Sequence, residues 1–355
     1  MPQRTPFAVA ATLACGSLLA FAGTAQALEA RISGHLNRAV MFADDGERNE
    51  VFFVDNETSN TRFRFTGSEE ILPGIQAGIV WEMEFLSQNS SDVAIDNRDA
   101  DGFELEERHQ DIYFQGAFGK FSIGQGAGAA DGASEADLSG TVLVSDVGTQ
   151  DIGGDIVFAN DGVPTGIRIR DTYNANDFES RYDRVRYDTP PLGPVVLSTG
   201  YGNKGEADVY EFAARASTAL PGVGKVAARL GYSNEGNGGD EAETIGGSVS
   251  FLSDVGANLT LAYTNLQDDG VDDTTLYGKL GYRVGKHAVS VDYGRTSRDD
   301  SPDVDHGSFY GAGYTFKPIG WAELYAGVKV HMAELETGDD PDSITIATAG
   351  TRIKF

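Results

Sequence analysis

Five histidines (His35, His109, His287, His306 and His331) and a single cysteine, Cys15, are the side chains with which this chain could begin nucleophilic or metal chemistry. They are widely scattered. A serine hydrolase needs a hydroxyl within reach of an imidazole. The nearest such pair in the sequence is His287 with Ser290, and on a strand those two face opposite ways. No His or Cys spacing of a zinc site is visible. Asp268 to Asp273 and Asp299 to Asp305 resemble calcium loops in composition, but they lack the helical flanks and ligand spacing of an EF-hand. Solvated loop charge is the simpler reading. The residues therefore point to no catalytic site, no metal site and no cofactor.

Charge excludes another class. The formal net charge is −27 and no basic patch is present, so nucleic acid would be repelled. The acids crowd Asp44 to Glu57, Asp92 to Glu107, Asp131 to Asp161, Asp268 to Asp273, Asp299 to Asp305 and Asp339 to Asp342. At the N-terminus Arg4, the apolar or small run Pro6 to Gly23, and Ala25-Gln26-Ala27 have the layout of a signal peptide cleaved after Ala27. Cys15 lies inside it, which leaves an exported chain from Leu28 with no disulfide. No later apolar run reaches the ~18 residues of a membrane helix. A membrane protein of this sequence must be a barrel.

The elements agree. Ser343 to Phe355 alternates, with Ala347, Ala349, Thr351, Ile353 and Phe355 on one face and Thr348, Arg352 and Lys354 on the other. In water that strand would be a sticky edge; within a closed barrel in lipid it has both neighbours. The same alternation places sixteen strands, at 30–42, 59–70, 74–87, 104–117, 119–126, 181–189, 194–203, 207–218, 223–233, 241–252, 257–267, 273–284, 286–298, 306–317, 320–334 and 343–355. An even count suits a bacterial barrel. Tight turns such as Leu72-Pro73-Gly74, Leu220-Pro221-Gly222 and Asp254-Val255-Gly256 alternate with connections expected to be longer and acidic. Tyr201, Tyr232, Tyr263 and Tyr282 sit where an interfacial aromatic girdle would. One connection, 127–180, is far longer than the rest. Its apolar stretches (138–147, 156–159, 167–169) argue against disorder. Residues 28–355 form one domain, an all-β, 16-stranded antiparallel transmembrane barrel.

Thr61-Arg62-Phe63-Arg64-Phe65-Thr66-Gly67-Ser68-Glu69-Glu70 before a Pro-Gly turn, Gly119-Lys120-Phe121-Ser122-Ile123-Gly124-Gln125-Gly126, Arg184-Val185-Arg186-Tyr187-Asp188-Thr189-Pro190 and the terminal Lys354-Phe355 occur in order and at telling spacings. In these pieces, and over essentially all of 28–355, the chain resembles the trimeric, sixteen-stranded general porins of Gram-negative outer membranes. The resemblance implies that the third long loop, 127–180, folds into the lumen and narrows it. It also implies that loop acids face arginines on the opposite wall. On that reading the acids are Asp131, Glu135 and Asp137, with Asp146 and Asp151 next, and the wall carries Arg62, Arg64, Arg184 and Arg186. Asp111 stands where the family would place a pore arginine, and the enterobacterial Pro-Glu-Phe-Gly-Gly run is absent. Glu82, Glu84 and Asp111 offer the arginines partners that would blunt their field.

The expected activity is passive diffusion of ions and small hydrophilic solutes across the outer membrane, with cations preferred because acids are in excess. The expected assembly, by resemblance, is a homotrimer in the lipid bilayer. Two other readings stay open. One is a solute-specific porin; the other is a non-conducting structural or adhesive barrel plugged by its loop.

Overall fold

The computed structural model describes residues 28–99, 102–237, 240–268, 270–299, 301, 303–338 and 340–355. The expected signal segment lies outside the described residues. In chain order the strands are β1 (Glu29–Asp44), β2 (Asn49–Asp55), β3 (Arg62–Leu72), β4 (Ile75–Leu86), β5 (Glu104–Gly116), β6 (Gly119–Ala127), β7 (Val157–Asn160), β8 (Val163–Arg168), β9 (Arg181–Asp188) and β10 (Val195–Lys204). They continue as β11 (Ala207–Leu220), β12 (Gly224–Asn237), β13 (Asp240–Ser253), β14 (Ala257–Asp268), β15 (Val271–Val284), β16 (His287–Asp299), β17 (Val304–Ile319), β18 (Ala322–Leu335) and β19 (Ile344–Lys354).

All but the β7–β8 hairpin join one antiparallel sheet, and the pairing of β1 with β19 closes it. β2 and β3 are halves of one crossing, since both pair with β1, so the barrel has 16 strands. At the seam Leu36 lies opposite Ile353 and Val40 opposite Ala349. The last residue is also paired: the Phe355 amide donates to the Gly34 carbonyl and the Gly34 amide to the Phe355 carbonyl, both at 3.0 Å.

Each strand has an apolar face left exposed and a second face that is polar or covered. On β14, Leu259, Leu261 and Tyr263 are exposed while Thr260 and Thr264 are buried. On β15, Leu276 and Leu280 are exposed while Tyr277 and Lys279 are buried. Strands that turn a continuous hydrocarbon surface outward on every side suit lipid, where a closed ring leaves no backbone group unpaired. Tyr201, Tyr263 and Tyr282 lie exposed on this face, and Tyr201 stacks on Tyr210 with ring centroids 4.9 Å apart.

What covers the other face is mainly the chain between β6 and β9. Its Leu143, Val144, Ile152, Ile156, Phe158 and Ile169 pack with Met41, Phe52, Tyr325, Ile344 and Ile346 of the strands in one buried cluster. Val147, Tyr173 and Ala175 pack with Ala262, Tyr277 and Phe309 in a second, where Tyr173 meets Phe309 edge-on at 4.9 Å. Each fully buried side chain of this size is worth about 1.5–3 kcal/mol. The apolar stretches of the segment are thus its anchors. Between them its backbone bonds to short polar side chains: the amides of Ala136 and Leu138 donate to Ser248 and Ser250 (2.7 and 2.9 Å), and Thr264 donates to the Ala175 carbonyl (2.9 Å).

Two expectations need correction. The acidic stretch after Asp44 is not one long loop, because Asn49–Asp55 continues the second crossing as β2. The interruption comes later, at Asn56 to Thr61. There a 3₁₀ turn (Glu57–Ser59) is capped by the Asn56 side chain, and Asn56 Nδ2 donates to the Leu143 carbonyl at 2.8 Å. Nor are the connections of the C-terminal half uniformly long. Only Gly205 and Glu206 separate β10 from β11, and Asp268, Asp272 and Asp273 lie on β14 and β15 themselves. Asp273 there pairs with Arg298 (3.2 Å), which accounts for one calcium-like acid run as strand ends.

A helical turn, α1 (Ile169–Thr172), returns the long segment along β17, where a Cβ on Gly307 would overlap the carbonyl of Thr172. Gly307→Val should therefore unseat this turn. Overpacking of about 1–3 kcal/mol would speed tryptic cleavage at Arg168 and Arg170 in the folded, detergent-solubilised protein. Cleavage at the wild-type rate would show that the contact does not hold the segment.

Candidate functional site

Arg62 and Arg64 alternate with Phe63 and Phe65 on β3, and the register sets them opposite Glu84 and Glu82 of β4. Arg64 Nε donates to Glu82 Oε2, and Arg62 Nη1 lies 3.6 Å from Glu82 Oε1. A third guanidinium joins them. Arg108 Nε donates to Glu82 Oε1 at 2.9 Å and Nη1 bonds Glu84. Simple alternation along β5 misses Arg108 because the β4–β5 register slips between Glu82 and Met83, making it the extra residue of a bulge. A bulge re-aims a side chain to the face its parity would deny it.

Asp111 and Arg184 are brought together, and not toward open space. Both guanidinium Nη atoms donate to the carboxylate at 3.0 Å, and the two residues are only 7% and 5% exposed. Arg184 also donates to the carbonyls of Ala127 and Gly124 (3.0 and 2.9 Å), so this pair clamps the root of the long segment. Arg186 is less enclosed. It pairs with Asp188 (2.8 Å) and donates to the Gly128 carbonyl (2.6 Å). Two further arginines follow the same pattern without a carboxylate partner among the described residues: Arg215 Nη2 donates to the Asp131 carbonyl (2.8 Å) and Arg229 Nη1 to the Gly132 carbonyl (2.6 Å). Their parity with buried Glu211 on β11 and Ser233 on β12 was the available signal.

The acids of the long segment divide into two sets. Asp137 is paired with the buried Lys279, which also holds the Ser145 carbonyl. Asp131, Glu135, Asp146 and Asp151 have no ion-pair partner among the described residues. Glu135, Asp146 and Asp151 line an open pocket together with Asp137, Thr58, Ser134 and Tyr277. Nearby, Asp177 accepts from the Ser134 hydroxyl (2.5 Å) and from the Gly132 amide (3.0 Å), tying the two ends of the segment together.

Crowded carboxylates resist ionising together. The charge of Asp177, then desolvation and Asp146, hold Glu135 well above the ordinary glutamate range. Desolvation first and Asp177 second push Asp131 up to about 6. Desolvation also raises Asp146 to about 6, against the pull of Lys329 and Lys279. Asp151 is raised too, by desolvation and then by Asp146 and Glu57. His287 and Ser290, the pair that sequence spacing offered, are apart: His287 is exposed beside Tyr314, while Ser290 is buried against Thr141.

A closed barrel with an apolar outer surface and charged groups gathered on the other face now meets an independent match. The family model of the Gram-negative porins matches residues 10–333. The chain belongs to the Gram-negative porin family. It is accordingly an outer-membrane β-barrel that crosses the bilayer with strands. Among solved structures this porin is similar to the anion-selective porin from Comamonas acidovorans, with 17% identity, a TM-score of 0.63, and coverage of 92% of this chain and 99% of that one. It is also similar to OmpT of Vibrio cholerae in its trimer form, with 16% identity, a TM-score of 0.59, and coverage of 93% and 100%. The outer membrane channel DcaP of Acinetobacter baumannii is a third, with 11% identity, a TM-score of 0.59, and coverage of 95% and 100%. At these identities the likeness is one of fold. Comparison with curated proteins gives no match.

The geometry of the two kinds of arginine pair separates them by stability. Asp111→Asn leaves Arg184 charged and buried without its carboxylate, and should lower the porin's stability to urea in detergent by about 3–5 kcal/mol. Arg64→Ala removes a pair whose arginine side chain is 44% exposed, and should cost under about 1 kcal/mol. Equal losses would mean that Arg184 is not buried as described.

Proposed function

We propose that this porin conducts ions and small hydrophilic solutes through a lumen narrowed, not plugged, by residues 128–180. The observation that carries this reading is the division of charge across the covered face. The long segment lies along β13–β19 and carries Asp131, Glu135, Asp146 and Asp151, the last three lining a pocket with Thr260 and Tyr277 of that wall and with Thr58. Arg62, Arg64, Arg186, Arg215 and Arg229 stand on β3, β9, β11 and β12, where it makes few apolar contacts. Opposed charges in a narrow, low-dielectric passage set up a transverse field, which orients dipolar solutes and penalises apolar ones. Asp111, Asp137 and Arg184 are assigned a structural part in this arrangement, because each is neutralised by a buried partner.

The preference is for cations at neutral pH. Among the arginines, Arg62, Arg64 and Arg186 each have a carboxylate within ion-pair distance, which leaves Arg215 and Arg229 against four loop acids that have none among the described residues. Anion selectivity belongs to the Comamonas acidovorans protein; its shared fold does not carry that property here. The assembly is a homotrimer, a reading supported by the trimeric form of the similar Vibrio cholerae protein.

Reconstitution in a planar bilayer under a salt gradient tests the function. Large ohmic steps, grouped in threes, are expected, with a reversal potential of the sign for cations. Insertion without conductance would overturn the channel, and a reversal potential of opposite sign would overturn the preference. Because carboxylates raised to about 6 lose charge as pH falls, the cation-to-anion permeability ratio should drop between pH 7.5 and pH 5. Arg215→Ala should raise that ratio roughly twofold at pH 7.5, and no change would remove Arg215 from the constriction.

A further inference from the structure

At the rim where the long segment leaves the barrel, β17 begins and β18 ends. The register between them slips between Val304 and His306, so that Val304 faces Leu335 and His306 faces Glu334, with Asp305 as the extra residue. Bulges place side chains where regular pairing would not. Here the result is a triad: His306 Nδ1 lies 2.9 Å from Asp305 Oδ2, and Nε2 lies 3.0 Å from Glu334 Oε1. One ligand atom from each residue falls within 4.8 Å of the other two. His306 is 7% exposed, while both carboxylates are open to solvent. The triad faces away from the long segment. The neighbouring Gly307 points at Thr172 of that segment, and Glu334 follows the buried Ala333.

The ring cannot satisfy both contacts as a neutral group. A neutral imidazole carries one N–H and one lone pair, and ionised carboxylates only accept. One of the two contacts therefore sets lone pair against lone pair unless a cation enters, either a second proton or a metal ion. Among the described residues neither Asp305 nor Glu334 has a lysine or arginine partner. Asp303 and Glu336 add acids nearby, and a net charge of −27 concentrates cations at such a rim.

We propose that His306 Nε2 and Glu334 bind a divalent metal ion of the zinc class, with Asp305 on the other side of the ring accepting from Nδ1–H as the orienting carboxylate. Zinc binds imidazole nitrogen and carboxylate oxygen at about 2.0–2.2 Å, so adjacent ligand atoms sit roughly 3 Å apart, the spacing already present between His306 and Glu334. The mixed nitrogen and oxygen set suits zinc, copper or nickel, whereas calcium and magnesium take oxygen ligands. Solvent at the exposed Glu334 carboxylate completes the coordination. The ion would join the first residues of β17 to the last residues of β18. Sequence spacing hid this site because residues 305 and 306 meet 334 only through the strand register.

Isothermal titration of zinc chloride into tag-free, full-length porin in detergent at pH 7.5 tests it. One zinc per chain is expected. His306→Ala and Glu334→Gln should each weaken binding more than about tenfold, while both variants keep the β-sheet circular dichroism and heat-modifiable gel mobility of the wild type. Calcium chloride should compete poorly. Wild-type binding no tighter than that of His306→Ala would overturn the site. Zinc bound equally by folded Glu334→Gln would overturn it as well.

Discussion

The whole molecule depends on closure of one ring of backbone hydrogen bonds. In hydrocarbon no water is available to an unpaired amide or carbonyl, so a sheet that crosses a membrane can have no edge. Here the first and last strands of the barrel meet, down to the paired amides and carbonyls of Gly34 and Phe355. Closure fixes which side chains face lipid and which do not, because a one-residue slip at the seam would exchange the two faces throughout. Everything charged in the protein has to be placed on the face that remains, or at the rims.

That second face creates its own problem. A ring of sixteen strands encloses more space than strand side chains can fill, and the chain answers with the segment between β6 and β9. The segment behaves as a small protein packed against a wall, with its own apolar anchors (Ile152, Ile156, Phe158) and a polar backbone satisfied by Ser248, Ser250, Thr264 and Thr275 of the strands. Short hydroxyl side chains on β13–β16 let the backbone approach closely, and Lys279 among them is buried, holding the Ser145 carbonyl and Asp137. The break at Asn56 to Thr61 serves the same end, since it gives the segment a carbonyl contact from the other side of the seam.

Most of the barrel was legible because period-two alternation and Pro-Gly turns are local signals. Sixteen crossings were found, and the long connection was singled out by length and by its apolar stretches. What was not legible depends on register. Arg108 and the Asp305–His306 pair owe their positions to bulges, and alternation assigns a bulged residue to the wrong face. Asp111 was expected to offer the arginines a partner, but its meeting with Arg184 joins strands separated by the entire long segment, so no spacing rule singles out that arginine. The short turns of the C-terminal half were misread as loops because acids at strand ends look like acids in loops. The resemblance supplied the arginine and acid roles, and it could not say which of them are already neutralised.

Neutralisation decides how charge in such a passage acts. A buried pair such as Asp111 with Arg184 contributes little field outside itself, because its dipole is short and its partners are fixed. An unpaired carboxylate in the same low-dielectric surroundings is felt over a longer distance. It is also the group that burial and like charges make hardest to ionise. Desolvation holds Asp131 and Asp146 up, and the charge of Asp177 with desolvation holds Glu135 up, so the surroundings that make their charge effective also oppose it. The proposed constriction, built this way, cannot have a strong acidic field that is also insensitive to pH. The arginines opposite have no such limit, since guanidinium stays charged throughout the physiological range. As protons arrive, the acidic side weakens first and the basic side is left to set the field.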